Sequence, residues 1–111
     1  MRNGRRVGGA YCITHAVFSA PDASAAPRDP VAPARFGFII SRAVGNAVTR
    51  NLIRRRLKTI VERQLANGIA GVDIVFRVFP KVTEASFEEL EAEVTRALAR
   101  VMRERERAAR S

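Results

Sequence analysis

The chain has 111 residues, 47% of them hydrophobic, which is enough for one modest core and too little for two packed domains. Lys and Arg outnumber Asp and Glu by 20 to 11, and the resulting formal charge of +9 exceeds what solubility alone asks of a domain this small. A polyanionic partner, nucleic acid first, is therefore expected. The single cysteine, Cys12, and single histidine, His15, exclude an internal disulfide, a thiolate-built zinc site and a catalytic triad legible from spacing. No apolar run approaches the ~20 residues of a bilayer span, and Met1–Gly9 lacks the apolar segment of a signal peptide, so a soluble, cytoplasmic protein with no membrane partner is expected.

Residues 1–9 are rich in Arg and Gly with little hydrophobic pattern and read as a basic, loosely ordered arm. Tyr11–Phe18 is β-branched and aromatic and predicts a strand with Tyr11, Ile13, His15 and Val17 on one face. Residues 19–34 hold all but one of the prolines and read as a flexible connector. Arg35–Arg42 predicts a second strand, with Phe36, Phe38 and Ile40 on its core side. After Gly45, Asn46 is a good N-cap for a helix from Ala47 to about Ala66, whose inward stripe is Ile53, Leu57, Ile60 and Gln64, broadened by Val61 and Leu65. Asn67-Gly68 and Gly71 end it. Asp73–Phe79 predicts a third strand, closed by Pro80, and the capping box Ser86-Phe87-Glu88-Glu89 opens a last helix carrying Leu90, Val94, Leu98 and Val101. A charged tail is expected over residues 103–111. The order strand, strand, helix, strand, helix predicts a single α+β domain, a two-layer sandwich of split β-α-β type with helices covering one sheet.

The chemistry concentrates in Gly45–Lys58, with five cations between Arg50 and Lys58 and no carboxylate between Arg50 and Thr59. At 100° per residue Arg50, Arg54 and Lys58 form a stripe beside the apolar face and Arg55 flanks it, whereas Arg56 points toward the side of Arg63. A solvated helix face ordinarily interleaves carboxylates to relieve such repulsion. RNA phosphates supply the missing charge, and guanidinium groups bind them through paired parallel hydrogen bonds. Asn46 and the free amides at the helix start offer another phosphate contact, beside the plain reading of Asn46 as a cap.

Arg35–Lys58 resembles the protein component of bacterial ribonuclease P. The motif that carries the resemblance is Ser41-Arg42, Gly45-Asn46-Ala47-Val48, Arg50-Asn51, Arg54-Arg55 and Lys58, and it continues more weakly through Asp73–Pro80 and Ser86–Leu90. The resemblance implies a ribosomal-protein-like fold with a left-handed β-α-β crossover. It implies a subunit that assists Mg²⁺-dependent endonucleolytic removal of the 5′ leader from precursor tRNA, with catalysis by the RNA, no catalytic protein side chain, and Mg²⁺ held mainly by the RNA partner. The catalytic RNA would be bound by Arg42, Asn46, Arg50, Asn51, Arg54, Arg55 and Lys58, and the leader in a cleft on the sheet. Candidates for that cleft are His15, which falls where the family often has a stacking aromatic, with Tyr11 on its face, and Arg77, which interrupts an apolar strand. For Tyr11 a place in the core remains open, and Phe36 and Phe38 are expected in the core.

Two departures from the family pattern stand out. Leu52 occupies a position that is basic in the family, and the family's N-terminal basic helix, one wall of the leader cleft, is expected to be missing because Met1 falls where it ends. The protein is expected to be monomeric within the ribonucleoprotein. The alternative function is a non-catalytic, ribosome-associated structural RNA-binding protein of related fold. A protein-only nuclease would need clustered carboxylates or histidines, and Glu84, Glu88, Glu89, Glu91 and Glu93 read instead as ordinary charge of the last helix.

Overall fold

The computed structural model describes residues 4–18 and 33–110. Four strands, β1 (Gly4–Gly8), β2 (Cys12–Phe18), β3 (Arg35–Ile39) and β4 (Val72–Val78), form one sheet in the order β1-β2-β4-β3. Helices α1 (Ala47–Ala66) and α2 (Phe87–Arg110) form the second layer, so the expected two-layer α+β sandwich is what the chain adopts. β1 and β2 are antiparallel, as are β2 and β4, whereas β3 and β4 are parallel and joined through α1 as a β-α-β unit. No helix among the described residues is long and apolar enough to cross a membrane.

Strand alternation decides which side chains enter the core. Cys12, Thr14 and Ala16 of β2 and Val72, Ile74, Phe76 and Val78 of β4 are buried under the helices. Ile53, Leu57, Ile60 and Val61 of α1 meet them, with Leu90, Val94, Leu98 and Val101 of α2, as the helical spacing predicts; Leu65, by contrast, is exposed. Phe76 lies between Phe36 and Phe38, with ring centroids 6.1 and 6.0 Å away in stacked orientation. Each such pair contributes about 1 kcal/mol beyond its buried area. These phenylalanines are thereby core residues rather than base platforms.

The structure corrects three boundaries. Residues 4–8 are not a loose arm but the edge strand β1, paired with β2 from Gly4↔Val17 to Gly8↔Ile13. The hairpin is held by Glu93, a buried carboxylate that accepts from the backbone amides of Ala10 at 2.7 Å, Tyr11 at 3.0 Å and Cys12 at 3.0 Å. Successive amides of this kind form an anion nest. Gly9 belongs there because a Cβ would lie 2.5 Å from that carboxylate. Glu93 is therefore an internal clasp, not ordinary helix charge.

The second correction concerns β3, which ends at Ile39. Ser41 and Arg42 then enter a 3₁₀ turn, Arg42–Val44, in which the Gly45 amide donates to the Arg42 carbonyl at 3.2 Å. The third is that α2 continues through residues 103–110, read from the sequence as a tail. Val101 is buried, Arg100 and Glu104 pair at 3.1 Å along the helix, and Arg105 donates to the Ala70 carbonyl at 2.9 Å, so tertiary contacts carry the helix onward. Of the connector, residues 19–32 lie outside the described residues; Pro33 bridges to Ala70, and the Ala34 amide donates to the Ile69 carbonyl.

Candidate nucleic-acid interface

The start of α1 is built as its sequence dictates. The Asn46 side chain accepts from the Thr49 amide at 2.9 Å, so its first role is the N-cap. The helix stops where Gly68 takes a φ of 92°, accessible to glycine at little cost. Between these ends the cations divide. Arg54, Arg55 and Lys58 are exposed and, with Asn51 and Val48, line one open groove. An Nη of Arg54 donates to Asn51 Oδ1 at 3.1 Å, which ties these two together at the groove wall.

Arg50 departs from the expected stripe. It is half-buried, and its Nε donates to the Gly45 carbonyl at 3.1 Å, bracing the turn before the helix. Arg56 donates to the Ala85 carbonyl at 3.3 Å, and Arg63 pairs with Glu91 at 2.6 Å while lying over the Phe87 ring, so the two share one side of α1 as the helical wheel predicts. Arg42 is exposed in the 3₁₀ turn ahead of the helix. Leu52, 38% exposed, and Val48, 79% exposed, are apolar side chains left on the outer surface of α1. The groove thus gathers Asn51, Arg54, Arg55 and Lys58 and leaves Arg42, Asn46 and Arg50 at its N-terminal approach.

A second surface lies on the sheet face away from the helices. The register sets Arg6, His15, Val75 and Gly37 in one row across the strands and Gly8, Ile13, Arg77 and Ile39 in the next. Val17, Ile39, Val75, Arg6 and Arg77 are exposed and His15 and Ile13 half-buried, giving an apolar strip fringed by cations. At one margin the Arg35 guanidinium binds Asp73 by two hydrogen bonds of 2.9 and 2.6 Å, which raises its pKa. Such a strip offers unpaired bases an apolar seat and their phosphates a positive edge.

Tyr11 does not join that strip. It precedes β2, packs partly buried against the core, and its carbonyl accepts from the Phe79 amide at 2.8 Å. Desolvation, followed by the negative charges of Glu89, Glu93 and Glu84, raises its phenol pKa. Sequence reasoning missed Arg6, Val75 and Ile39. The signal for Arg6 was available in Gly8-Gly9, a hairpin-type turn ahead of Tyr11–Phe18. Among the described residues no three His, Cys, Asp or Glu side chains gather as a metal-ligating group.

A family model described as Ribonuclease P matches residues 1–102. The chain is 42% identical over 103 residues to the ribonuclease P protein component of Clavibacter michiganensis, covering 93% of this chain and 83% of that protein. It is 43% identical over 101 residues to the ribonuclease P protein component of Acidothermus cellulolyticus, covering 91% and 78%. The fold is similar to that of the RNase P protein from Thermotoga maritima, with a TM-score of 0.69 at 22% identity over 87% of this chain and 83% of that one. It is also similar to the Staphylococcus aureus RNase P protein, with a TM-score of 0.67 at 18% identity over 86% and 79%. At these identities the two structural likenesses speak for the fold alone.

Proposed function

This chain belongs to the ribonuclease P protein family, and on that premise we propose that it is the protein subunit of a ribonucleoprotein that removes the 5′ leader from precursor tRNA. In this reading the α1 groove binds the catalytic RNA through Asn51, Arg54, Arg55 and Lys58, with Arg42, Asn46 and Arg50 at its approach. The open sheet face takes the single-stranded leader, His15 and the apolar strip seating bases while Arg77 and Arg6 meet phosphates. The RNA carries out the hydrolysis, with Mg²⁺ held mainly by RNA oxygens. The protein's own residues bind and orient RNA, and no protein side chain is assigned a catalytic step. The subunit works in the cytoplasm as a monomer within the ribonucleoprotein.

The observation that carries the RNA-binding part is the groove itself, where exposed cations stand together on one helix face and, among the described residues, no acidic side chain lines it. Purified chain added to its cognate catalytic RNA at low Mg²⁺ should raise the rate of precursor-tRNA cleavage. Absence of any stimulation, with the protein co-purifying with ribosomal RNA instead, would overturn the assignment.

A further inference from the structure

β3 carries one residue that the fold does not require. Gly37 sits in the middle of this strand, and its side-chain position falls on the open sheet face between Arg35 and Ile39. Glycine inside a strand is less stable than a residue with a side chain, because its backbone loses more freedom on folding and it packs nothing. Such a glycine is ordinarily explained by a positive φ or by a neighbour too close for a Cβ. Neither holds at Gly37. Among the described residues the glycines with positive φ are Gly45, Gly68 and Gly71. A Cβ on Gly37 would touch only Val75 Cγ2, at 3.7 Å, an ordinary van der Waals distance. A side chain therefore fits, and its absence leaves a notch in the sheet face.

The notch is bounded on three sides. Along β3 its ends are Arg35 and Ile39, whose Cα atoms stand about 13 Å apart in an extended strand. On one side is Val75 of β4, followed across the sheet by His15 and Arg6 in the same row. The other side has no strand among the described residues, since β3 is an edge of the sheet. Phe36 and Phe38, the chain neighbours of Gly37, turn to the opposite face and stack on Phe76, so neither ring covers it. The floor is bare strand backbone, and Val75 and Ile39 supply exposed aliphatic walls. A glycine in an edge strand is stabilised when an aromatic ring from the next strand lies over it. Here the next strand offers valine, and the ring is missing.

We infer that the Gly37 notch seats one nucleobase of the single-stranded leader, laid flat over the Gly37 backbone against Val75 and Ile39. This rests on the reading of the open sheet face as the leader site, and it makes Gly37 a residue that decides whether a base can enter. Charge selects the occupant. Arg77, paired with Ile39 in the next row, and Arg6, at the far end of the Gly37 row, are exposed and have no ion-pair or hydrogen-bond partner among the described residues. An apolar peptide would leave these cations unanswered, whereas a nucleotide brings a phosphate for Arg77. At the opposite end Asp73 would repel that phosphate, but Arg35 holds it through two hydrogen bonds. The phosphate therefore belongs at the Arg77 end and the base over the glycine.

The test uses the full chain reconstituted with its cognate catalytic RNA. Binding of precursor tRNA with an intact leader is compared with a series in which one leader nucleotide at a time is abasic, keeping its phosphate and losing only the ring. In the parent, one abasic position should lower affinity about tenfold, within the range for a single stacked base. Gly37→Val should weaken binding of the intact leader by a similar factor and leave binding of mature tRNA unchanged. It should also abolish the cost of that abasic position, because both changes remove the same contact. The melting temperature should hold or rise, since a β-branched side chain suits a strand and Val75 lies beside it. Gly37→Ala, whose Cβ the site accommodates, should show the same coupling in smaller degree. An abasic cost that persists undiminished in Gly37→Val overturns the inference. So does a fall in melting temperature in both variants, which would show that the protein itself fills the notch. Arg77→Gln separates this failure from failure of the leader reading. If it weakens binding of the intact leader while Gly37→Val does not, the sheet face holds the leader but the notch holds no base; if neither does, the leader reading falls as well.

Discussion

Replacing Arg54, Arg55 and Lys58 together with glutamine tests whether the α1 groove meets phosphates or only solvates a helix. All three side chains are exposed, and glutamine nearly matches their helix propensity, so the fold should be retained. Each phosphate contact contributes about 0.9 to the slope of log affinity against log salt, so three contacts account for about 2.7. Between about 50 and 200 mM salt the parent chain should then lose roughly 40-fold more affinity for the catalytic RNA than the variant does. Fluorescence anisotropy of labelled cognate RNA over a salt series reads this directly, with circular dichroism as the control for folding. Arg50→Gln provides the internal contrast: its Nε is held by the Gly45 carbonyl, so it should change the slope less than any of the three and lower thermal stability more. A triple variant with the parental slope would refute the assignment of the groove, and a larger slope change from Arg50 would refute the division of the cations.

Glu93→Ala removes the common acceptor of three backbone amides, those of Ala10 and Tyr11 partly buried and that of Cys12 buried. This should cost about 3 kcal/mol, or roughly 12 °C in melting temperature, with Glu93→Gln losing less because one oxygen remains. Leu52→Arg adds a cation at a site already 38% exposed; it should steepen the salt slope by about 0.9 if a phosphate lies opposite, with little change in stability. Burial, then the charge and hydrogen bond of Glu93, push the Cys12 thiol from 9.0 to about 12. The unfolded chain therefore loses this proton first, and stability should fall above about pH 9 by up to ~1.4 kcal/mol per pH unit, an alkaline slope that Cys12→Ala removes in urea titrations.

Where the hydrophobic period was long, the structure could be read from the chain. α1 carries Ile53, Leu57 and Ile60 between an asparagine cap and a glycine stop, so local rules and burial agree over its whole length. β1 offered no such pattern, because an edge strand of five residues with one buried side chain, Val7, owes its order to β2 and to Glu93, which is more than eighty residues away in sequence. The end of α2 was obscured for the same reason. A charged run is polar in any single window, and only Arg5 and Ala70, reached through the fold, show why it stays helical.

The basic helix shows most clearly what spacing can and cannot specify. A helical wheel assigns each arginine of α1 to a face, and on that basis Arg56 and Arg63 were correctly separated from Arg54 and Lys58. It cannot say which guanidinium the surrounding backbone will claim. Gly45 claims Arg50, Ala85 claims Arg56, and Glu91 with Phe87 claims Arg63, so each of these charges has an internal partner. Arg55 and Lys58 have none among the described residues, and Arg54 meets only the neutral Asn51. Charge left unpaired on one helix face, opposite a sheet whose far side carries its own apolar strip, gives the chain two separate surfaces with different chemistry. One suits a folded RNA recognised through its phosphates, and the other suits an unpaired strand recognised through its bases as well. That separation is what a subunit must have if it is to hold a catalytic RNA and a substrate leader at once.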